Sequence, residues 1–259
     1  MTSETSVGRW TLRAIQILED LLEREADHLE QVAQLASAAI ASGGVVHMFG
    51  TGHSRMAVEE MFPRYGSYPG FHPLVELSMT NHTQVTGANG QRQAMFIERV
   101  EGFARVILSN FHLRPTDVMV VVSHGGSTAV PIEMAMLARE AGMPVVAVTS
   151  VAHSAATPSG HSSGTRLLDH ADVVIDLGTP VGDALVELDG LDTPVGPGST
   201  VAAVSVVNEI KVRTAELLVA AGHPPSVLTS SAVIGAERSA ELFASAYDDH
   251  GRRLAALIG

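Results

Sequence analysis

Apolar residues near the start of the chain recur at helical spacing. Leu12, Ile15, Leu18, Leu21 and Leu22 lead to Leu29, Val32, Leu35 and Ile40, with Glu19, Asp20, Glu23 and Arg24 in the gaps. This period predicts one long helix, or two in tandem, over 10–42, stopped by Gly43-Gly44. The pattern then changes to short apolar runs alternating with helical stretches. Strands are predicted at 45–49, 117–122, 144–149 and 172–177, with a short one at 73–77. Helices are predicted at 54–62, 94–108, 128–141 and 199–221, and a last amphipathic helix at 237–258. Runs such as Val118-Met119-Val120-Val121-Val122 show no polar alternation, as expected of strands covered on both faces. Repeated strand–helix order predicts a parallel, doubly wound sheet. Segments 78–92, 153–163 and 178–198 are rich in Gly, Pro and polar residues and read as loops, and Gly102 is a weak point in its helix. Without a repeat or a low-complexity linker, the expectation is one domain over 1–259. Its core is about 30–220, flanked by the N-terminal helix 10–42 and the C-terminal helix 237–258.

Composition narrows the function classes. The 259 residues are 46% hydrophobic and 17% charged, enough for a buried core and unlike a disordered chain. A net charge of −12 argues against nucleic acid as a partner, because no basic surplus exists to neutralise a phosphate backbone. The absence of cysteine removes disulfides, thiolate nucleophiles and Cys-based zinc sites, and fits a reducing compartment. The first six residues lack the pattern of a signal peptide, and no apolar stretch is long enough to span a bilayer. The expectation is a cytoplasmic protein with no membrane partner.

Two loops carry the chemistry. Gly50-Thr51-Gly52-His53-Ser54 follows the first predicted strand, and Ser123-His124-Gly125-Gly126-Ser127-Thr128 follows the strand 117–122. In each, an apolar run ends in glycine and hydroxyl residues and a helical pattern begins. That arrangement aims backbone N–H groups and hydroxyls at an anion, with a helix N-terminus behind them. Either loop alone reads equally well as a tight turn with a Ser or Thr cap. Together they predict an anion site at the carboxyl edge of the sheet, built from Gly52, Ser54, Ser123, His124, Gly125, Gly126, Ser127 and Thr128. A dinucleotide fingerprint fails at Arg55, which stands where its third glycine belongs, although Glu76 lies where a ribose-binding acid would. No P-loop sequence exists.

These residues resemble the sugar isomerase (SIS) domain family, whose members pair a G-x-G-x-S type loop with an S-x-S-G-x-[ST] type loop. Gly125 stands where the family often has a second serine. The resemblance covers about residues 30–220, and the chain is most similar to the phosphoheptose isomerase-like UPF0309 group. It implies a three-layer α/β/α sandwich around a five-stranded parallel sheet (flavodoxin-like), and a small phosphorylated sugar as ligand. It also implies a homodimer or homotetramer with sites near the interface. The activity implied is aldose–ketose isomerisation through an enediol. The family's etherase-like lyases of amino-sugar phosphates and its non-catalytic phosphosugar sensors are the alternatives, and a nucleotide-binding oxidoreductase is a distant fourth. No basic helix-turn-helix region accompanies the chain, which weakens the regulator reading.

Isomerisation needs a base beside the sugar carbons and a group to open the ring. Glu60 is the first expectation for the base, since Glu60-Met61-Phe62-Pro63-Arg64-Tyr65-Gly66 is similar to the etherase's E-C-P-P-T-F-G. Glu59 is a weaker second. Glu209, in Asn208-Glu209-Ile210-Lys211, loosely resembles a catalytic E-L-K of the glucosamine-6-phosphate synthase isomerase domain, and Glu216 stands where a histidine is expected. The ordinary alternative for each is a solvated helical Glu. His53, inside the first loop, is the expectation for ring opening, while His72 and His161 are read as loop histidines. Ser199-Thr200 resembles the etherase's G-S-T and serves equally as a helix cap. No H-x-x-x-H or H-E-x-x-H spacing occurs, so neither metal nor cofactor is expected.

Overall fold

A computed structural model describes residues 7–80 and 90–258. The leading period forms a single helix, α1 (Arg9–Ala41). It ends because Gly43 turns left-handed, at φ 80, while Gly43 N–H and Gly44 N–H reach back to Ile40 O and Ala39 O. Five parallel strands follow: β1 (Val46–Gly50), β2 (Phe71–Leu74), β3 (Val118–Val122), β4 (Val145–Thr149) and β5 (Val173–Asp176). Their spatial order is β2-β1-β3-β4-β5. This is a doubly wound α/β sheet whose winding reverses between β1 and β3. The chain leaves β1 toward one edge and β3 toward the other, so a crevice opens between the two strand ends. Register aligns those ends, since Gly50 pairs with Val122.

Strand alternation divides the interior in two. Val46, Met48, Val118, Val120, Val122, Val146 and Val148 face α1 and the helix α7 (Ser199–Ala220). Phe49, Met119, Val121, Val145 and Ala147 face α4 (Phe103–Leu108) and α5 (Ala129–Glu140) on the other side. Each valine, methionine or phenylalanine among them, removed from water, stabilises the fold by about 1.5–3 kcal/mol before entropy is counted. The apolar runs lack alternation because both faces of each strand meet helices.

Several boundaries differ from expectation for local reasons. The second strand lies earlier than 73–77, directly after Gly70, and includes Pro73. Proline is tolerated there because β2 is an edge strand. The helix expected over 54–62 is a 3-10 turn at Gly52–Ser54 and a short α2 (Arg55–Glu59). The segment 94–108 is two helices, α3 (Gly90–Ile97) and α4, separated at Gly102 with φ 88. The loop expected over 153–163 begins inside a helix, α6 (Val151–Ala156), whose N-cap Ser150 accepts from His153 N–H. The loop 178–198 contains an antiparallel pair, β6 (Ala184–Val186) and β7 (Val195–Pro197). Of the loop expected at 78–92, residues 81–89 lie outside the described residues, as does the chain start at 1–6.

The chain closes with α8 (Ser231–Ile234) and α9 (Ala236–Ile258). Arg253 on α9 donates to Ile40 O and Gly44 O, docking this helix over the end of α1. Among the described residues, no helix is long and apolar enough to cross a membrane.

Candidate functional site

The two glycine loops meet. Gly52, His53 and Ser54 from the end of β1, and Ser123 through Thr128 from the end of β3, line one cleft of about 480 Å³. That volume lies within the range of small-molecule sites. The close approach is specific to glycine at position 50. A Cβ there would lie 2.9 Å from Ser54 O and 3.1 Å from Val122 O, both backbone atoms.

The hydroxyls of the cleft divide into two sets. Thr51 Oγ1 donates to Glu98 at 2.7 Å, Ser123 Oγ accepts from Gly126 N–H at 3.2 Å, and Ser199 Oγ donates to Asp183 at 2.6 Å. These hold the walls. Ser54, Ser127 and Thr128 have side-chain hydroxyls with no hydrogen-bond partner among the described residues, and all three line the cleft. The N–H groups of Gly125, Ser127 and Thr128 likewise donate to no protein acceptor described here.

Two helix N-termini reach the same cleft, and they are not equivalent. The end of α7 is already occupied by a carboxylate: Asp183 accepts from Ser199 N–H at 2.7 Å and from Gly198 N–H at 3.1 Å. Asp183 holds a left-handed backbone, φ 70, to do so. The end of α5 has Thr128 at its N-cap with no side-chain cap bond. Of its first amides, Val130 N–H is taken by Glu98 O and Pro131 has none, so the part left open toward the cleft is Thr128 N–H and Ala129 N–H. The first loop offers less than expected here, because α2 has five residues and a correspondingly small dipole.

Besides Asp183, which is committed to α7, the cleft holds the carboxylate of Glu98, and sequence reasoning passed over it. It sits at the break between α3 and α4, where its backbone O accepts from Val130 N–H on the first turn of α5. Burial pushes its carboxyl above the ordinary range, against the hydrogen bond from Thr51 and the nearby Arg99. On another wall, His124 and His153 pack ring on ring with centroids 4.5 Å apart. His153 Nδ1 accepts from Gly182 N–H, and His124 Nε2 lies 3.0 Å from Thr179 Oγ1 and 3.8 Å from Asp183 Oδ1. Burial lowers the His124 pKa; Asp183 opposes this and His153 adds to it. A Cβ on Gly125 would lie 3.2 Å from the His153 ring, so His153 fills the space that a serine at 125 would need.

The other expected residues lie elsewhere. Glu60 and Glu209 are not among the residues lining the cleft. Glu60 pairs with Arg64 at 2.8 Å, and its backbone O accepts from Lys211 Nζ. Glu209 is exposed on α7. His72 is not in a loop but buried in β2, its Nδ1 2.9 Å from His47 Nδ1. Ser199 and Thr200 do line the cleft, with Ser199 committed to Asp183.

A crevice at a winding reversal, lined by glycine loops and hydroxyls at the carboxyl edge of the strands, defines an open-sheet α/β protein with a small-molecule cleft where such sheets place one. The chain belongs to the SIS domain family, whose model matches residues 9–150. It is 32% identical to a UPF0309 protein of Listeria monocytogenes over 235 residues, covering 91% of this chain and 93% of that one. A UPF0309 protein of Streptomyces coelicolor is 34% identical, with 98% of each chain covered. In fold the chain is similar to a phosphoheptose isomerase from Francisella tularensis. That match has a TM-score of 0.52 and 15% identity, and covers 83% of this chain and 100% of that one.

Proposed function

We propose that the cleft binds a sugar phosphate and that the protein is an aldose–ketose isomerase. The phosphate sits against Ser54, Ser127, Thr128 and the open end of α5. Supporting this is one observation above all: three hydroxyls and three loop amides converge without protein partners at a helix N-terminus. The likeness to a phosphoheptose isomerase agrees with the reading.

In this proposal Glu98 takes the C2 proton as O1 gains a proton to give an enediol, then returns it to C1 as O2 loses its proton, so that one proton passes from C2 to C1 and one from O2 to O1. A carboxyl raised by burial suits that work, because the transfer is most effective when base and working pH are close. Thr51 aims it through the 2.7 Å hydrogen bond. His53, at the mouth of the first loop, is the group proposed for ring opening, and the His124–His153 pair faces the sugar hydroxyls. Glu98 replaces Glu60 and Glu209 in the role of base because neither lines the cleft. A homo-oligomer is part of the same proposal. Its contact is the apolar groove of Tyr68, Lys211, Val212, Ala215 and Val219, occupied by a second copy.

The test is solvent exchange of the sugar C2 proton in D2O, followed by NMR across a panel of sugar phosphates, with Glu98→Gln and Glu60→Gln beside the parent. Exchange that survives Glu60→Gln and drops by at least about a hundredfold in Glu98→Gln supports the proposal. The opposite ranking overturns the assignment of the base. Binding without exchange identifies a sensor, and release of lactate from a muramic acid phosphate identifies a lyase.

A further inference from the structure

The segment after α6 packs His161 against the corner between α3 and α4. The ring is nearly enclosed, with 8% of its side chain exposed. Its Nε2 faces Glu133 Oε1 at 3.6 Å and Glu101 Oε2 at 3.9 Å. Both separations exceed a hydrogen bond, so the nitrogen is aimed between two carboxylates and bonded to neither. Ligand atoms of all three residues lie within 4.8 Å of one another. No lysine or arginine pairs with Glu101 or Glu133 among the described residues.

Each group is held from behind. Glu101 accepts from Ser162 N–H and Ser162 Oγ, both at 2.7 Å, and these bonds keep its carboxyl below the ordinary range. Both oxygens of Glu133 accept from Gly102 N–H, at 2.7 and 2.9 Å. His161 Nδ1 lies 2.8 Å from Ser163 Oγ, which lies 2.6 Å from Thr165 Oγ1, itself 2.7 Å from His170 Nε2. Ligating imidazoles are oriented in this way through their second nitrogen. Nδ1 also accepts from Ser163 N–H at 3.1 Å, which places the ring proton on Nε2 between the two carboxylates; a cation takes the place of that proton once Nδ1–H turns to Ser163 Oγ.

We propose that Glu101, Glu133 and His161 bind a divalent first-row transition cation at a site separate from the sugar cleft. One imidazole and two carboxylates suit Zn²⁺ or Mn²⁺, and the two carboxylates balance the ion's charge. Bonds of about 2.1 Å at near-tetrahedral angles set ligand atoms roughly 3.4 Å apart, so the imidazole needs to close on each carboxylate by no more than about 0.5 Å, and the two carboxylate oxygens, within 4.8 Å of each other, draw together around the ion. The ion ties together the supports of the cleft. Gly160 N–H and Leu167 N–H, on either side of His161, donate to Ser127 O and Gly126 O of the second loop, and the opposite corner carries Glu98.

The test is calorimetric titration of the chelator-stripped full chain with ZnCl2 and with MnCl2, in the absence of any sugar. The expected result is one ion per chain, with affinity at least about tenfold weaker in Glu101→Gln and in His161→Gln. Glu101→Gln keeps an oxygen for Ser162 N–H, so the fold survives, as a thermal melt checks. No binding of either ion by the parent protein overturns the site, and so does binding unchanged in both variants. Because no sugar is present, neither outcome depends on the function proposed for the cleft.

Discussion

Replacing Gly50 by alanine tests the junction on which the cleft is built. The new methyl would meet Ser54 O at 2.9 Å, Ser54 C at 3.0 Å and Val122 O at 3.1 Å. All are backbone atoms, so no rotamer change relieves the contact. Either the first loop lifts away from β3 or the two strands separate by a few tenths of an ångström. Overpacking of this kind costs about 1–3 kcal/mol. Alanine gives back about 0.4–1 kcal/mol by restricting the unfolded chain. The expected net loss is on the order of 1–2 kcal/mol, read from urea unfolding. Gly43→Ala is the comparison, since open space surrounds it and only its φ of +80 opposes a side chain. What separates the two is the ligand. Gly50→Ala moves Ser54 away from Ser127 and weakens sugar phosphate binding at least about tenfold, or 1.4 kcal/mol. Gly43→Ala leaves binding unchanged. Parent-like affinity in a destabilised Gly50→Ala protein would refute the claim that this contact sets the distance between the loops.

Two further predictions follow from the core and from the surface. Burial, together with neighbouring His47 and His250, lowers the His72 pKa from 6.5 to about 4, with Asp117 opposing. Between these values the unfolded chain binds a proton that the folded chain refuses, so stability falls as pH drops from 6.5 to 4, by up to about 3 kcal/mol. Urea melts across this window are expected to show a shallower decline in His72→Gln, and equal slopes would remove His72 as the cause. Val219 is 58% exposed in the groove assigned to a second copy, so Val219→Glu is expected to leave the fold intact within about 0.5 kcal/mol. It should reduce the mass measured by light scattering to that of one chain, and an unchanged mass would place the contact elsewhere.

Periodicity and local chemistry made much of the fold legible. The β-branched runs mark the strands because both faces of the sheet are buried, and that requirement is written residue by residue. The two glycine loops are legible for the same reason, since a turn that exposes amides needs Gly and hydroxyl residues within a few positions of one another. The helical glutamates were not legible in this way. Glu60, Glu98 and Glu209 look alike in sequence, and only the break at 98–102 turns Glu98 toward Thr51 while Glu60 turns toward Arg64. His153 was missed because its segment reads as loop, whereas Ser150 caps a helix that carries the ring against His124.

The sequence by itself determined the order of the five sheet strands and the long helices, the parallel sheet and the chemical character of two loops, since each depends on neighbours a few residues apart. Tertiary structure decided which carboxylate and which histidines share a cavity with those loops. It also decided how each helix end is met, through long-range contacts in which Asp183 closes α7 while α5 gives only Val130 N–H to Glu98 O and keeps Thr128 N–H open. Those choices depend on strand order and on where helices break, which bring together groups far apart along the chain, and no local pattern encodes that distance.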